Sequence, residues 1–285
     1  MRYRFIQQNT PRFAVRTMCR VLHVQPAGYY AWQKRKPTLQ QLKRLQLIEQ
    51  IRSVHQDSRG IYGSPRVHRE LIDRGVKVCE NTVAKVMKQQ QIRSKTKRRF
   101  VVTTDSNHLQ PPAANLLERR FDVPLRNRVW CSDITFVPTE QGWLFVALVM
   151  DLCSRKIVGW AMADHLRSEL TCAALRMALR RRRPAPGLLH HSDRGVQYAC
   201  CAYQDLLQEQ GMICSMSRRG NCYDNAAMES LIGTLKRELV HHEHYATHEQ
   251  AKRSIFEFIE VFYNRRRRHS AIGYLSPESF EASLN

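Results

Sequence analysis

The sequence has no long hydrophobic run. None of its apolar stretches approaches the roughly 20 residues that a membrane-spanning helix needs. Arg2 and Arg4 are not followed by an apolar segment, which argues against a secretory signal peptide. Hydrophobic residues make up 43% of the 285 residues and charged residues 25%, as in soluble globular proteins. We therefore expect a cytoplasmic protein with no membrane partner.

The nine cysteines include no CxxC pair. An odd number at scattered spacing is typical of reduced, partly buried thiols and not of a disulfide framework. Histidines occur in two runs, His190-His191 and His241-His242-Glu243-His244, but neither has a matching Cys or His pair at zinc-ligand spacing. We therefore expect no zinc.

Acidic residues are scarce in the first hundred positions. Residues 1–100 contain 23 Lys/Arg and 5 Asp/Glu, a net charge of +18, whereas residues 101–285 contain 23 and 20, a net charge of +3. Such a concentration of positive charge is typical of contact with a polyanion, because neutralised phosphates release their counterions. The alternative is a solvated basic surface.

Helical patterns dominate this basic half. Apolar residues recur at helical spacing within Pro11–Val24, and Ala27–Lys34 follows after a break, so residues 1–37 are predicted to be an N-terminal helical segment resembling a helix-turn-helix. Leu39–His55 carries a second apolar stripe that includes Leu42 and Leu45.

A turn with two glycines follows that stripe. Pro65 then opens a helix that ends at Gly75 and is expected to bury Ile72, and Asn81 or Thr82 can cap a basic helix after it. This order predicts a helix-turn-helix DNA-binding domain over residues 38–100. Its candidate DNA contacts are Arg66, Lys85 and Lys88.

Residues 101–128 separate this domain from the next. The preceding Lys95–Arg99 is strongly basic, and residues 101–128 lose regular periodicity and include Pro111-Pro112. We predict a linker that docks on its neighbours.

Strand and helix patterns alternate over residues 129–241. Three strands joined by short turns predict an antiparallel meander at 129–137, 143–150 and 156–163. Further helices and strands are predicted at 168–183, 188–191, 203–210, 212–216 and 224–241. The order βββαβαβα predicts an α/β, ribonuclease-H-like core with a mixed sheet covered by helices. Residues 242–285 are predicted to be a C-terminal helical tail with a helix at about 247–263, whose basic part is the arginine run 265–268.

Three acidic residues of this core are placed so that they can converge. Asp133 lies within the first strand, where aspartate is disfavoured, and Asp193 follows a short strand, where α/β sheets present reactive groups. Glu229 shares a helix face with Asn225 and Lys236. Taken alone, Asp193 suits an ordinary turn equally well and Glu229 is an ordinary helix glutamate.

Together the three carboxylates predict a metal site. Their oxygens suit hard cations such as Mg²⁺ or Mn²⁺, and without metal the three anions repel one another. Two ions about 3.5–4 Å apart activate an attacking oxygen and stabilise a leaving one in phosphodiester chemistry. We therefore predict Asp133, Asp193 and Glu229 as catalytic residues and metal ligands, with Lys236 and Asn225 as DNA contacts.

Several segments resemble one protein family. Trp130–Phe136, Asp151–Trp160, His191–Tyr198 and Asp224–Glu229, with Lys236 and Glu238 after them, are similar to motifs of the OrfB transposases of the insertion-sequence family typified by IS-three, within the retroviral integrase superfamily. Tyr62–Arg66 resembles the start of that family's helix-turn-helix. The family's C-terminal signature is matched by Tyr263-Asn264, His269 and Leu275-Ser276-Pro277.

The resemblance implies a DDE transposase. Such an enzyme cleaves DNA to expose a 3′-hydroxyl and transfers that end to another phosphodiester, without a covalent intermediate. Asp133, Asp193 and Glu229 would be its metal-binding triad and Lys236 an accessory basic residue. The implied partners are terminal inverted repeats, target DNA, an OrfA product or an OrfA–OrfB frameshift fusion, and further copies of the chain in a synaptic complex. The zinc-binding His/Cys set of the retroviral relatives is absent here.

Two other functions remain open. A ribonuclease-H-like nuclease would share the metal chemistry but would not need the basic helical half, and a DNA-binding regulator of transposition would not need an intact acidic triad. Arginine runs are candidate phosphate contacts or solvated charged faces. These runs are Arg180–Arg183 and the four residues Arg265, Arg266, Arg267 and Arg268.

Overall fold

The computed structural model describes residues 1–95, 113–218 and 222–284. The N-terminal unit, residues 1–37, holds three short helices, α1 Arg2–Asn9, α2 Val15–Val21 and α3 Pro26–Gln33. They pack around their own small core of Ile6, Met18, Cys19 and Tyr29. Helix α1 was not predicted, since Ile6 is its one buried residue and the segment has little apolar periodicity.

Three helices form the predicted helix-turn-helix domain: α4 Leu39–Asp57, α5 Ser64–Asp73 and α6 Glu80–Gln89. The Thr38 hydroxyl accepts a hydrogen bond from Gln41 N at 3.2 Å and Gln41 Oε1 accepts one from Thr38 N at 2.8 Å, so a capping box starts α4.

Three predictions for this domain are wrong. The residue before α6 is Cys79, and neither Asn81 nor Thr82 caps that helix. Leu42 and Leu45 are exposed, because the buried residues of α4, Ile48, Ile51 and Val54, lie nearer its C-terminus. Ile72 is also exposed, since the buried side of α5 is made by Val67 and Leu71.

A five-stranded mixed sheet forms the centre of the second half. Its strands are β1 Val129–Thr139, β2 Gly142–Asp151, β3 Ile157–Ala163, β4 Leu189–Ser192 and β5 Ile213–Met216. They lie in the order β3-β2-β1-β4-β5. The first three form the predicted antiparallel meander, and β4 and β5 are added in parallel to β1. This topology confirms the ribonuclease-H-like architecture.

Helices cover both faces of the sheet. They are α7 Ser168–Arg182, α8 Val196–Ala199, α9 Cys201–Glu209, α10 Ala226–Glu238, α11 His248–Glu257 and α12 Pro277–Ser283. Helices α7 and α9 share a core with Trp130, and α10 and α11 pack on the opposite face. At Gly159 the sheet approaches α7 so closely that a Cβ atom would lie 2.3 Å from the Ala174 carbonyl oxygen.

The C-terminal segment anchors itself to an edge strand. The predicted helix at 247–263 begins as α11 and continues as a buried π-helical stretch, Phe258–Tyr263. Asn264 then hydrogen-bonds with both the amide and the carbonyl of Ile157 in β3, each at 2.9 Å. The unpredicted α12 starts with a Ser276 cap. Two residues of the family-like C-terminal signature therefore have structural roles: Asn264 attaches the segment to β3, and Ser276 caps α12.

The described part of the predicted linker has neither helix nor strand. Residues 113–128 run along the sheet, and the Ser215 hydroxyl accepts a hydrogen bond from Leu116 N at 2.9 Å. Pro111-Pro112 and most of Lys95–Arg99 lie outside the described residues. Within the described ranges no helix is both long and apolar enough to cross a membrane. The cysteines whose side chains are described are free thiols, four of them buried, as predicted.

Candidate active site

Asp133 lies near the middle of β1, the central strand of the sheet. It pairs with Leu148 of β2, and its Oδ1 accepts a hydrogen bond from Ile134 N at 2.7 Å. Burial holds the pKa of Asp133 well above its usual range, and the negative charges of Asp193 and Glu229 raise it further. Asp193 and Glu229 therefore both lie within electrostatic reach of Asp133.

Asp193 lies beside β1 because β4 pairs in parallel with it, with Ser192 opposite Ser132. The Asp193 Oδ1 accepts a hydrogen bond from Gly195 N at 2.9 Å, which closes a tight turn. A Cβ atom at position 195 would lie 3.0 Å from that oxygen. The absence of a Cβ atom at Gly195 therefore leaves space for the Asp193 carboxylate.

Glu229 is exposed in the first turn of α10. The residue just before this helix, Asn225, is buried and donates from Nδ2 to Asp133 Oδ2 at 3.5 Å. Its Oδ1 is buried and lacks a hydrogen-bond partner among the described residues. Buried polar atoms without a partner are uncommon in folded proteins, and this one belongs to the side chain that contacts Asp133.

The carboxylates are not pre-assembled into a metal cage. Within residues 1–95, 113–218 and 222–284, no group of three or more His, Cys, Asp or Glu side chains is arranged to hold a metal ion. The oxygen donors of Asp133, Asp193 and Glu229 nevertheless suit a hard divalent cation in kind and charge. A cation would also relieve the repulsion that raises the pKa of Asp133.

Lys236 lies two turns after Glu229 on α10. Its ammonium nitrogen is 4.7 Å from the centre of the Phe136 ring, a cation–π contact across to β1. Burial lowers the pKa of Lys236, and the negative charge of Asp133 opposes that shift. Lys236 therefore lies next to β1, the strand that carries Asp133.

Asp224, just before α10, was not predicted from the sequence as a site residue. Asp224 is fully buried, and its carboxylate accepts hydrogen bonds from Arg218 N, Nε and Nη2 and from Arg119 Nε, at 2.8–3.0 Å. These partners keep the pKa of Asp224 well below its usual range. Asp224 thereby ties three segments together one residue before Asn225. The Asp224-Asn225 pair in the family-like motif was the available signal.

The predicted DNA contacts divide into two groups. Lys85 and Lys88 are exposed on α6, and Arg265 and Arg266 are exposed in the tail, with Arg265 3.6 Å from Glu278. The prediction is wrong for Arg267, which is 4% exposed and bound to Glu238.

Two further arginines are also engaged within the protein. Arg268 pairs with Glu70 and Asp73, each at 2.7 Å, and Arg66 approaches Glu238 at 3.4 Å. They join the helix-turn-helix domain to the rest of the chain.

The Arg180–Arg183 run is likewise mixed. Arg182 forms an ion pair with Glu281, and Arg181 pairs with Glu260 at 2.7 Å. Arg180 and Arg183 are exposed at the end of α7. Half of this run therefore fastens the C-terminal segment to α7.

Comparison with known proteins identifies both halves of the chain. A model described as an integrase core domain matches residues 124–222, a second integrase core domain model matches residues 210–277, and an HTH-like domain model matches residues 43–100. The catalytic core domain of BIV integrase aligns with a TM-score of 0.42 and 16% identity, covering 55% of this chain and 96% of that one.

Two relatives match over nearly their whole length. The insertion element IS600 uncharacterized 31 kDa protein of Shigella sonnei is 43% identical, covering 92% of this chain and 97% of that protein. Transposase InsF for insertion sequence IS3A of Escherichia coli (strain K12) is 39% identical, covering 99% of this chain and 98% of that protein. Identity at this level over the full length, joined to an integrase core and an HTH-like domain, shows that the chain belongs to the IS3 family of insertion-sequence transposases.

Proposed function

We propose that Asp133, Asp193 and Glu229 are the catalytic centre with which this transposase cleaves and rejoins DNA strands. The observation that carries the proposal is electrostatic. The charges of Asp193 and Glu229 both reach Asp133, which lies on the central strand with a buried amide, Asn225, beside it. A cluster of like charges in one place costs stability, and such costs are typical of functional sites.

A divalent metal fits this centre. Asp133, Asp193 and Glu229 would hold it through carboxylate oxygens, with Mg²⁺ or Mn²⁺ as the matching ions and two as the expected number. When bound, the metal would polarise the phosphodiester and lower the pKa of the attacking hydroxyl. Glu229 is the exposed member of the three, so it would have to move towards the aspartates as the site fills.

The protein's own groups would position the substrate. Lys236 places a positive charge above the catalytic strand, where it would attract a DNA phosphate. Asn225 can turn its unpaired Oδ1 or its amide group towards the substrate or a ligand of the metal. Asp224 would act indirectly, because its hydrogen bonds hold the turn that carries Asn225.

The basic half would bring DNA to this centre. Lys85 and Lys88 on α6 are exposed, as side chains that neutralise phosphates must be. The expected DNA partners are the terminal inverted repeats of the element and a target site. Two ends must be held together for joining, so we further propose that several copies of the chain act together, alone or as an OrfA–OrfB fusion.

A strand-transfer assay tests the proposal. Labelled duplexes that end in the element's terminal repeat are incubated with Mg²⁺ or Mn²⁺ and target DNA, using the wild type and Asp133→Asn, Asp193→Asn or Glu229→Gln. Each substitution preserves shape and removes one charge, so joined products should vanish while duplex binding persists.

Matched controls are Asp205→Asn and Glu209→Gln, which are exposed on α9. Metal binding, followed as a rise in melting temperature with added Mn²⁺, should be lost only in the three site variants. Full strand transfer by any one of the three site variants would refute the assignment. Hydrolysis confined to RNA–DNA hybrids would instead indicate a nuclease.

A further inference from the structure

The N-terminal unit carries positive charge with no negative charge to balance it. Residues 1–37 contain eight Lys/Arg and no Asp/Glu, and the first acidic residue of the chain is Glu49. The unit therefore has no carboxylate of its own with which its arginines can pair. It also precedes the regions that the HTH-like and integrase core models match.

A groove of about 970 Å³ runs along α1 on this unit. Helical spacing puts Arg4, Phe5 and Gln8 on one face of α1, and all three line the groove. Trp32 and Val24, which lie outside α1, also line it. We call this the α1 groove.

The α1 groove combines aromatic rings with guanidinium groups. Phe5 is 53% exposed although it is a large apolar side chain, and Trp32 is half-buried. The Trp32 ring packs against two tyrosine rings, with ring centres 5.8 Å from Tyr3, which also lines the groove, and 6.2 Å from Tyr29. Arg2 and Arg4 are exposed at the same groove. Rings held in place beside cations form a surface on which bases can stack while phosphates are neutralised.

Double-stranded DNA does not suit such a surface, since its bases are stacked on one another and show only their edges. An unpaired strand exposes the faces of its bases. From this chemistry we infer that the α1 groove binds single-stranded DNA, with bases against Phe5 and Trp32 and phosphates beside Arg2 and Arg4. The choice of DNA over RNA rests on the family's transposase activity; the groove and its charge do not depend on the proposed catalytic residues.

The experiment measures binding of labelled oligo-dT to the full chain by fluorescence anisotropy. The oligonucleotide is longer than the roughly 4–16 nucleotides that one single-strand site covers. EDTA prevents chemistry, and excess unlabelled duplex occupies the helix-turn-helix domain. Phe5→Ala should weaken oligo-dT binding by about fivefold or more through lost stacking and leave the salt dependence unchanged. Phe5→Trp should retain binding.

The charged pair is tested separately. Arg2→Gln with Arg4→Gln should lower the slope of log K against log salt by about 1.4, because each single-strand phosphate contact contributes about 0.7. The matched control is Arg16→Gln with Arg20→Gln, the same change of charge on exposed arginines of the same unit outside the groove. Its slope should change by less than half as much. Unchanged melting temperatures would show that the variants fold.

Several outcomes would overturn the inference. Unaltered binding by Phe5→Ala would do so, as would an equal effect of the two arginine pairs, an equal loss of duplex affinity, or oligo-U binding as tight as oligo-dT. A change in oligomeric state without a change in oligo-dT binding would mean that the groove takes protein instead. Loss of strand transfer in the triad variants with normal oligo-dT binding separates this inference from the catalytic proposal.

Discussion

Arg267 and Glu238 form a two-point ion pair inside the protein. Arg267 Nε donates to Glu238 Oε2 and Nη2 donates to Oε1, both at 2.7 Å, and the two side chains are 5% and 4% exposed. Arg66 of α5 reaches the same carboxylate at 3.4 Å. Glu238 ends α10, whose first turn carries Glu229, so this carboxylate links the helix-turn-helix domain, the tail and α10.

Replacement of Arg267 should therefore destabilise the fold. Arg267→Met leaves the Glu238 carboxylate buried without its main partner, which costs roughly 3–5 kcal/mol of unfolding free energy. Urea denaturation measures the loss. The neighbour Arg266 is exposed, so Arg266→Met should change stability by less than about 0.5 kcal/mol. Arg267→Met with Glu238→Leu should regain part of the loss, since no buried charge then lacks a partner. Equal stability of the two single variants would contradict this account.

Acid should destabilise the protein through His190. Burial lowers the pKa of His190 to about 3, whereas the unfolded chain titrates near 6.5. The unfolded state therefore binds the proton first, and stability present above pH 6.5 is lost as the pH falls towards 3. The loss between pH 7 and pH 5 is about 2 kcal/mol for this one group.

Urea denaturation of wild type and His190→Gln at both pH values isolates that contribution. Glutamine keeps a polar partner for Ser132 and Tyr203, which hydrogen-bond with His190 Nε2 at 2.8 and 3.0 Å, but does not titrate. The variant should lose about 2 kcal/mol less than the wild type on acidification. Identical pH dependence would show that His190 is not the group responsible.

Even the smallest side chain at position 159 should be harmful. Gly159→Ala would press a methyl group on the Ala174 carbonyl oxygen and the Ala178 backbone nitrogen, at 2.3 and 2.8 Å in the present geometry. Overpacking of this kind costs about 1–3 kcal/mol, and Gly159→Val should cost more than Gly159→Ala. The midpoint of urea unfolding reports both. A melting curve that does not change with alanine would mean that α7 moves away freely.

Asp224→Asn should impair strand transfer without touching the carboxylate triad. The substitution keeps the shape but removes the charge that orients Arg218 and Arg119, and hydrogen bonds to charged groups contribute roughly 1.5–3 kcal/mol each. The turn holding Asn225 should loosen, so the rate at saturating DNA should fall while duplex affinity is kept. Asp224→Glu should recover less than half of the rate because its longer chain shifts both arginines. A normal rate in Asp224→Asn would exclude a positioning role.

The sequence was sufficient for the antiparallel meander and for the place of Asp133 in its first strand. Strand-forming segments joined by short turns are a local pattern, whereas the parallel pairing of β4 with β1 joins residues far apart in the chain. Helix α1 was missed because its helicity depends on packing against α2 and α3 and not on its own apolar spacing.

Ion pairs distant in sequence were beyond prediction. Arg267 looked like part of a solvated run, since its partner Glu238 is 29 residues away and nothing local indicates the contact. Asp224 was similarly hidden, because Arg119 lies 105 residues before it. A run of basic residues shows where positive charges lie in the sequence. Which of those side chains are exposed to solvent depends on the fold.

Helix α10 carries its two glutamates nine residues apart. At 100° and 1.5 Å per residue they point in opposite directions and stand about 14 Å apart along the axis. The helix is thus a fixed spacer between the domain junction and the acidic centre. Side-chain changes between the two glutamates leave that spacing intact, whereas insertion or deletion of a single residue turns one carboxylate by about 100° away from its partners. For this segment, length is under stronger constraint than composition.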